Sequence, residues 1–253
     1  MDIEKYTSSK VYEFFEWGFK LIVWNLLTLF ITGIAGGIPF IGFLIFKEGI
    51  IASIFSVLTI IFAVFAFIPN YVTIFCCIKI YKEDGFAETF KLYFDRLWDN
   101  FKALYKLEII IILVSALFLV AIVVDYGILS QNPDHTNIFV MISSIGYYFL
   151  MICLMIIFLC LLNLPMVVGH FRMKTVSLMR FTFKITFKKM FSTALYLLLV
   201  IMPLLLSIFV NVLFPIWLLV GFSLPLFFSY YIARRDYWKY IQNINEIYKD
   251  EEN

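Results

Sequence analysis

Charge is what this chain has least of. Asp, Glu, Lys and Arg make up 15% of its 253 residues, against roughly a quarter in soluble domains. It has two histidines, His135 and His170, and four cysteines, Cys76, Cys77, Cys153 and Cys160. All four cysteines lie in or at the ends of apolar stretches, where the thiolate needed for metal ligation is disfavoured. Cys153 and Cys160 are spaced to share a helix face, as packing residues do. Asp134-His135 offers two ligands inside an Asn132-Pro133-Asp134 turn signature. Paired carboxylates, H-E-x-x-H, G-x-S-x-G and phosphate-binding glycine loops are missing. We therefore expect no enzyme, no cofactor, no metal and no nucleic-acid partner. A cleavable leader is not expected either. Asp2, Glu4, Glu13 and Glu16 stand where a short basic region would be, and the first apolar run is too long for a signal peptide.

What is present is apolar surface: 63% of the residues are hydrophobic and the mean hydropathy is +0.94. A bilayer core of about 30 Å takes about 20 apolar helical residues, and six stretches qualify: about 19–44, 50–79, 107–125, 138–163, 191–210 and 212–232. Gly33, Gly36, Gly37 and Pro39 are expected to end the first helix near Ile38, and Pro69 to kink the second. In chain order, the tails and loops carry 3, 1, 6, 0, 6, 0 and 4 Lys or Arg residues. With both ends in the cytoplasm, 19 of the 20 cations face inward and only Lys47 faces out, as the inside-positive bias of membrane proteins requires. The expected fold is an all-α polytopic membrane protein: one integral domain with six transmembrane helices, two cytoplasmic amphipathic helices, N-in/C-in topology and a polar tail at 234–253. Abundant Phe, Ile and Lys point to an AT-rich bacterial genome, and so to a bacterial cytoplasmic membrane.

The two amphipathic segments are 86–106 and 172–190. In the first, Phe86, Phe90, Tyr93, Phe94, Leu97, Phe101, Leu104 and Tyr105 recur with helical spacing, and Glu88, Lys91, Asp95, Asp99, Lys102 and Lys106 take the other face. The second carries Arg172, Lys174, Arg180, Lys184, Lys188 and Lys189 with no acid among them. From Met179 to Lys188 it alternates like a strand, but an open edge at a membrane leaves backbone groups unpaired. A helix instead stacks Arg180, Lys184 and Lys188 beside Phe183 and Phe187, a pattern suited to anionic lipid or an acidic partner. Long span, amphipathic helix and next span recur over 50–125 and 138–210, hinting at a duplication.

Ionisable groups are missing from the centres of the apolar runs, with Glu108 and Asp125 at the two ends of the third. That argues against a carrier driven by protons or sodium. The polar residues in or near the spans are amides: Asn25, Asn70, Asn163 and Asn211. They either hydrogen-bond between helices or ring a path for a neutral solute. Gly33 and Gly37 form a Gly-x-x-x-Gly pair that either lets two helices approach closely or simply bends the chain.

The aromatic N-terminal segment with Trp24-Asn25-Leu26-Leu27, the glycine-rich stretch to Pro39, the Phe-rich 86–105, Asn163-Leu164-Pro165 and the run Leu178 to Pro203 resemble the YesL family of bacterial membrane proteins. The likeness covers about residues 14–232, and Phe40-Ile41 departs from the Pro-Ala-Thr that often follows the first span in that family. The family has no established activity. The resemblance implies an association with carbohydrate uptake, and thus an accessory or regulatory component that meets membrane lipids and ABC-type sugar transporter subunits. The rival expectation is a permease for a small neutral solute, without the Glu-Ala-Ala-type coupling motif of an importing ABC permease. A third is a lipid-binding scaffold.

Overall fold

The computed structural model describes residues 10–46, 48–80, 86–131, 138–171, 173–207, 209–210 and 213–231. Among these there is helix and no strand. In chain order the helices are α1 (Lys10–Phe46), α2 (Gly49–Ile80), α3 (Phe86–Gln131), α4 (Ile138–His170), α5 (Thr175–Lys188), α6 (Met190–Ser207), α7 (Leu213–Val220) and α8 (Ser223–Tyr231). Four of them, α1 to α4, are long and apolar enough to cross a membrane. The count rises to six if α5 with α6 and α7 with α8 each form one bent span. The chain is a multi-pass helical membrane protein.

Two expected breaks are absent. α1 runs unbroken for 37 residues with Pro39 inside it, past the Ile38 end point expected from the sequence. In hydrocarbon no water satisfies a freed N–H or C=O, so a helix persists through glycines that would end it in water. The amphipathic segment 86–106 is likewise not a separate surface helix. It is the first half of α3, one helix of 46 residues, or about 69 Å at 1.5 Å per residue.

Two breaks do occur, and both lie late in the chain. α5 meets α6 at 92°, and α7 meets α8 at 61°. The second has a local cause: Pro225 lacks the N–H that would bond the Gly221 carbonyl, and its ring would strike that group in a continuous helix. A Cβ on Gly221 would lie 2.4 Å from the Trp217 carbonyl oxygen, so the turn closes only around glycine. The bent α5–α6 pair also separates the two halves of the suspected duplication, because the corresponding segment of the first half is straight.

Packing is concentrated at one end of the bundle. Leu21, Trp24 and Thr28 of α1, Ile68 to Ile78 of α2, Tyr93, Leu104 and Leu107 of α3, and Leu162 to Val167 of α4 are buried there. Toward the other end the same helices leave Ile34, Ile38, Ile54, Leu117, Val120, Ile145 and Ile152 exposed. Such a belt of bare aliphatic side chains on a soluble protein would mark an interaction surface; on these helices it is the surface that faces lipid. We call the two ends the packed end and the splayed end. At the splayed end α1 and α2 approach through Gly36 and Gly42: a Cβ on the first would meet Ala63 at 3.1 Å, and on the second Phe55 at 2.4 Å. Gly33 and Gly37 have nothing within 4 Å of a built Cβ, so the close-approach role expected of that pair belongs to Gly36 and Gly42 instead.

Candidate functional site: amide clamps and a cationic surface helix

Each described amide of the expected set has its own partners. Asn25 is fully buried in α1. Its Nδ2 donates to the Leu218 carbonyl at 2.7 Å, and its Oδ1 accepts from the Phe222 N–H at 2.9 Å and the Ser223 N–H at 3.2 Å. One side chain thus closes the end of α7 and the start of α8, where a broken helix leaves carbonyls and amides without intrahelical partners. The Phe222 ring wedges between Phe67 and Trp217, at centroid distances of 4.9 and 5.1 Å.

Asn163, in α4, performs the same task at the other bend. Its Nδ2 lies 3.2 Å from Thr186 Oγ1 and 2.9 Å from Thr193 Oγ1, one threonine on each side of the α5–α6 corner. Those hydroxyls in turn donate to the Thr182 and Lys189 carbonyls. Asn70, in α2, donates to the Ala66 carbonyl at 2.7 Å and accepts from the Tyr93 hydroxyl at 2.6 Å. Tyr93 also meets Thr28 Oγ1 at 2.8 Å, so this chain of bonds ties α1, α2 and α3 together. Asn211 lies outside the described residues. The three described amides therefore serve three separate junctions, with both polar atoms of Asn25 and Asn70 and the Nδ2 of Asn163 bonded to protein groups.

No protein-family model, curated protein or solved structure matches this chain. Its site is accordingly read from its own geometry.

The expected cationic surface falls on α5, which is a helix and not a strand. Leu178, Thr182, Ile185 and Thr186 are buried on one side. Val176, Met179, Phe183 and Phe187 are exposed on the other, and Arg180, Lys184 and Lys188 are exposed with them. The Phe183 and Phe187 rings pair at 4.6 Å. Lys174 is exposed just before the helix, and Lys189 is half-buried at the corner. Arg172 lies outside the described residues, as do Asp134 and His135. The 92° corner sets α5 across α6 with its cationic, aromatic side exposed, a shape that suits an interfacial amphipathic helix.

Several buried polar residues carry no expectation from the sequence. Lys20 is 4% exposed and pairs with Glu16 at 2.8 Å, one turn away. Asn100 donates to Thr73 Oγ1 at 2.9 Å. Tyr71 and Tyr196 share a hydrogen bond between α2 and α6. The two tyrosine contacts had a signal: a Tyr on the apolar face of an amphipathic helix needs a partner for its hydroxyl. Glu108 departs furthest from expectation. It stands mid-way along α3, where the amphipathic half meets the apolar run, and what the sequence did not suggest is its burial: it is fully buried, with no hydrogen-bond partner for either carboxylate oxygen among the described residues.

Proposed function

We propose that this protein is a six-span component of a bacterial cytoplasmic membrane, with both termini and the packed end on the cytoplasmic side. We further propose that it is an accessory or regulatory partner of a solute transporter, in line with its resemblance to the YesL family. The observation that carries this reading is α5. Its exposed Met179, Arg180, Phe183, Lys184 and Phe187 offer an inner-face surface for anionic lipid headgroups and for an acidic partner. Each cation near an anionic leaflet contributes about 1 kcal/mol. An ABC-type sugar transporter subunit is the partner the resemblance implies.

A photo-crosslinker at Phe183 tests the partner. Capture of a transporter subunit in native membranes is expected, and recovery of lipid alone argues for a lipid-binding scaffold instead. Hydrogen exchange over 175–190 in nanodiscs tests the lipid contact. Protection should be stronger with anionic than with zwitterionic lipid, and the difference should vanish in an Arg180→Gln/Lys184→Gln/Lys188→Gln variant.

One observation favours the permease rival: discontinuous spans are where many transporters place their substrate sites. In this chain the groups freed at the α7–α8 break are bonded to Asn25, which favours the accessory reading. Sugar flux through the purified protein in liposomes, lost on Asn25→Leu, would reverse that preference.

A further inference from the structure

A cavity of about 890 Å³ opens at the packed end, where α2 and α4 finish beside α3 and the start of α5. Ligand sites fall at roughly 300–1,000 Å³ and are mostly apolar; this one has apolar walls from Ile80, Leu104, Val168 and Leu178 and carries several cations among them. Lys79, Arg96, Lys102 and Lys174 line it together with His170, and the acid among the lining residues is Asp99. Among the described residues Asp99 makes no ion pair within 4 Å with any of the four, so the lining carries four cations to one acid. Lys79 Nζ donates to the Gly169 carbonyl at 2.5 Å. That bond ties the end of α2 to the end of α4, and the carbonyl brings no countercharge to the ammonium. Arg96 and Asn100 are one turn apart on α3, and both face the same space. Lys102 is seated over the Trp98 ring at 4.9 Å, which orders its stem and leaves its donors available.

From this geometry we infer that the cavity binds a phosphate monoester group. Four cations from two helices and the segment before α5 converge on one concave space, and Arg supplies the planar fork that matches phosphate oxygens two at a time. The cavity shares Lys174 with the cationic segment around α5 but neither Arg180 nor Lys184, so substitutions at those two separate this inference from the role proposed for α5. The phosphate could enter on an inner-leaflet lipid or on a soluble metabolite, and the chemistry of recognition is the same for both.

The test uses the full chain purified in a neutral detergent. Binding is followed by thermal shift and by isothermal titration calorimetry, with dioctanoyl phosphatidic acid, glycerol 3-phosphate and dioctanoyl phosphatidylcholine as probes. Saturable binding of phosphatidic acid or glycerol 3-phosphate is expected. Tighter binding of the lipid assigns the site to headgroups, and equal binding of both assigns it to soluble phosphates. Arg96→Gln/Lys174→Gln should weaken binding about thirtyfold, Arg96→Lys should weaken it less because it keeps the charge but loses the fork, and Arg180→Gln/Lys184→Gln should leave it unchanged. Size-exclusion profiles matching the parent confirm that each variant is folded. The inference is overturned if neither phosphate probe binds, if phosphatidylcholine binds equally well, or if the α5 variant loses binding as fully as the cavity variant.

Discussion

Replacing Asn25 by Leu removes one side chain and orphans three backbone groups. The Leu218 carbonyl and the Phe222 and Ser223 amides all bond to it, and Asn25 is fully buried. The two side chains are close in size, so little of the effect comes from an empty volume. What remains is the cost of leaving buried donors and an acceptor without partners, about 1–3 kcal/mol for each group that finds no substitute. With partial relaxation of the corner, a loss of about 2–5 kcal/mol is expected. At this chain length that corresponds to about 5–15 °C in the unfolding midpoint. A maleimide dye reads the transition directly, because Cys77 is fully buried in the native state. Asn70→Leu is the internal comparison. Its Nδ2 reaches the carbonyl one turn back, and Tyr93 keeps Thr28 as a hydroxyl partner, so the loss should be near 1 kcal/mol. The reasoning fails if Asn25→Leu unfolds within about 2 °C of the parent, or if the two substitutions are equally harmful.

Four further substitutions probe other parts of the structure by the same assay. Asn163→Leu should cost about 1 kcal/mol, because Thr186 and Thr193 keep their own backbone acceptors; a loss as large as that of Asn25→Leu would show that the corner depends on the amide alone. Glu108→Leu removes a buried carboxyl with no hydrogen-bond partner among the described residues and should raise stability by about 1–3 kcal/mol; a lowered midpoint would mean the carboxyl is held by something else. Gly42→Leu should part α1 from α2, since a Cβ there already meets the Phe55 ring at 2.4 Å, whereas Gly33→Ala should stabilise α1 by up to about 1 kcal/mol; equal effects would contradict the observed α1–α2 contact.

The membrane-spanning helices could be read from the sequence because length and hydropathy are additive along the chain. The helical character of α5 was also legible, because its period and the cost of an open strand edge pointed the same way. Helix continuity was less so. Pro39 and its glycines are break signals calibrated in water, and α1 passes through them. The α5–α6 corner carries no such signal: no proline or glycine lies between Thr175 and Ser207 except Pro203, well beyond it. Only the meeting of Asn163 with Thr186 and Thr193 marks the turn, and those residues are far apart in sequence. The Gly-x-x-x-Gly pair was visible as a pattern, but a pattern does not say which face of a long helix meets a neighbour. The cationic cavity was hidden for a similar reason. Lys79, Arg96 and Lys174 belong to loops that look like ordinary inside-positive decoration until three helices bring them together.

The 46 residues of α3 form a stiff lever. Its tyrosine and asparagine teeth engage α1 and α2 at Thr28, Asn70 and Thr73, while its far arm, from about Leu113 onward, rests in hydrocarbon. A membrane that thins or thickens changes the tilt of a spanning rod, and a rod without a joint must carry that rotation to its opposite arm. There it would turn Arg96 and Lys102 against the ends of α2 and α4, so bilayer thickness on one side becomes the gape of a charged mouth on the other.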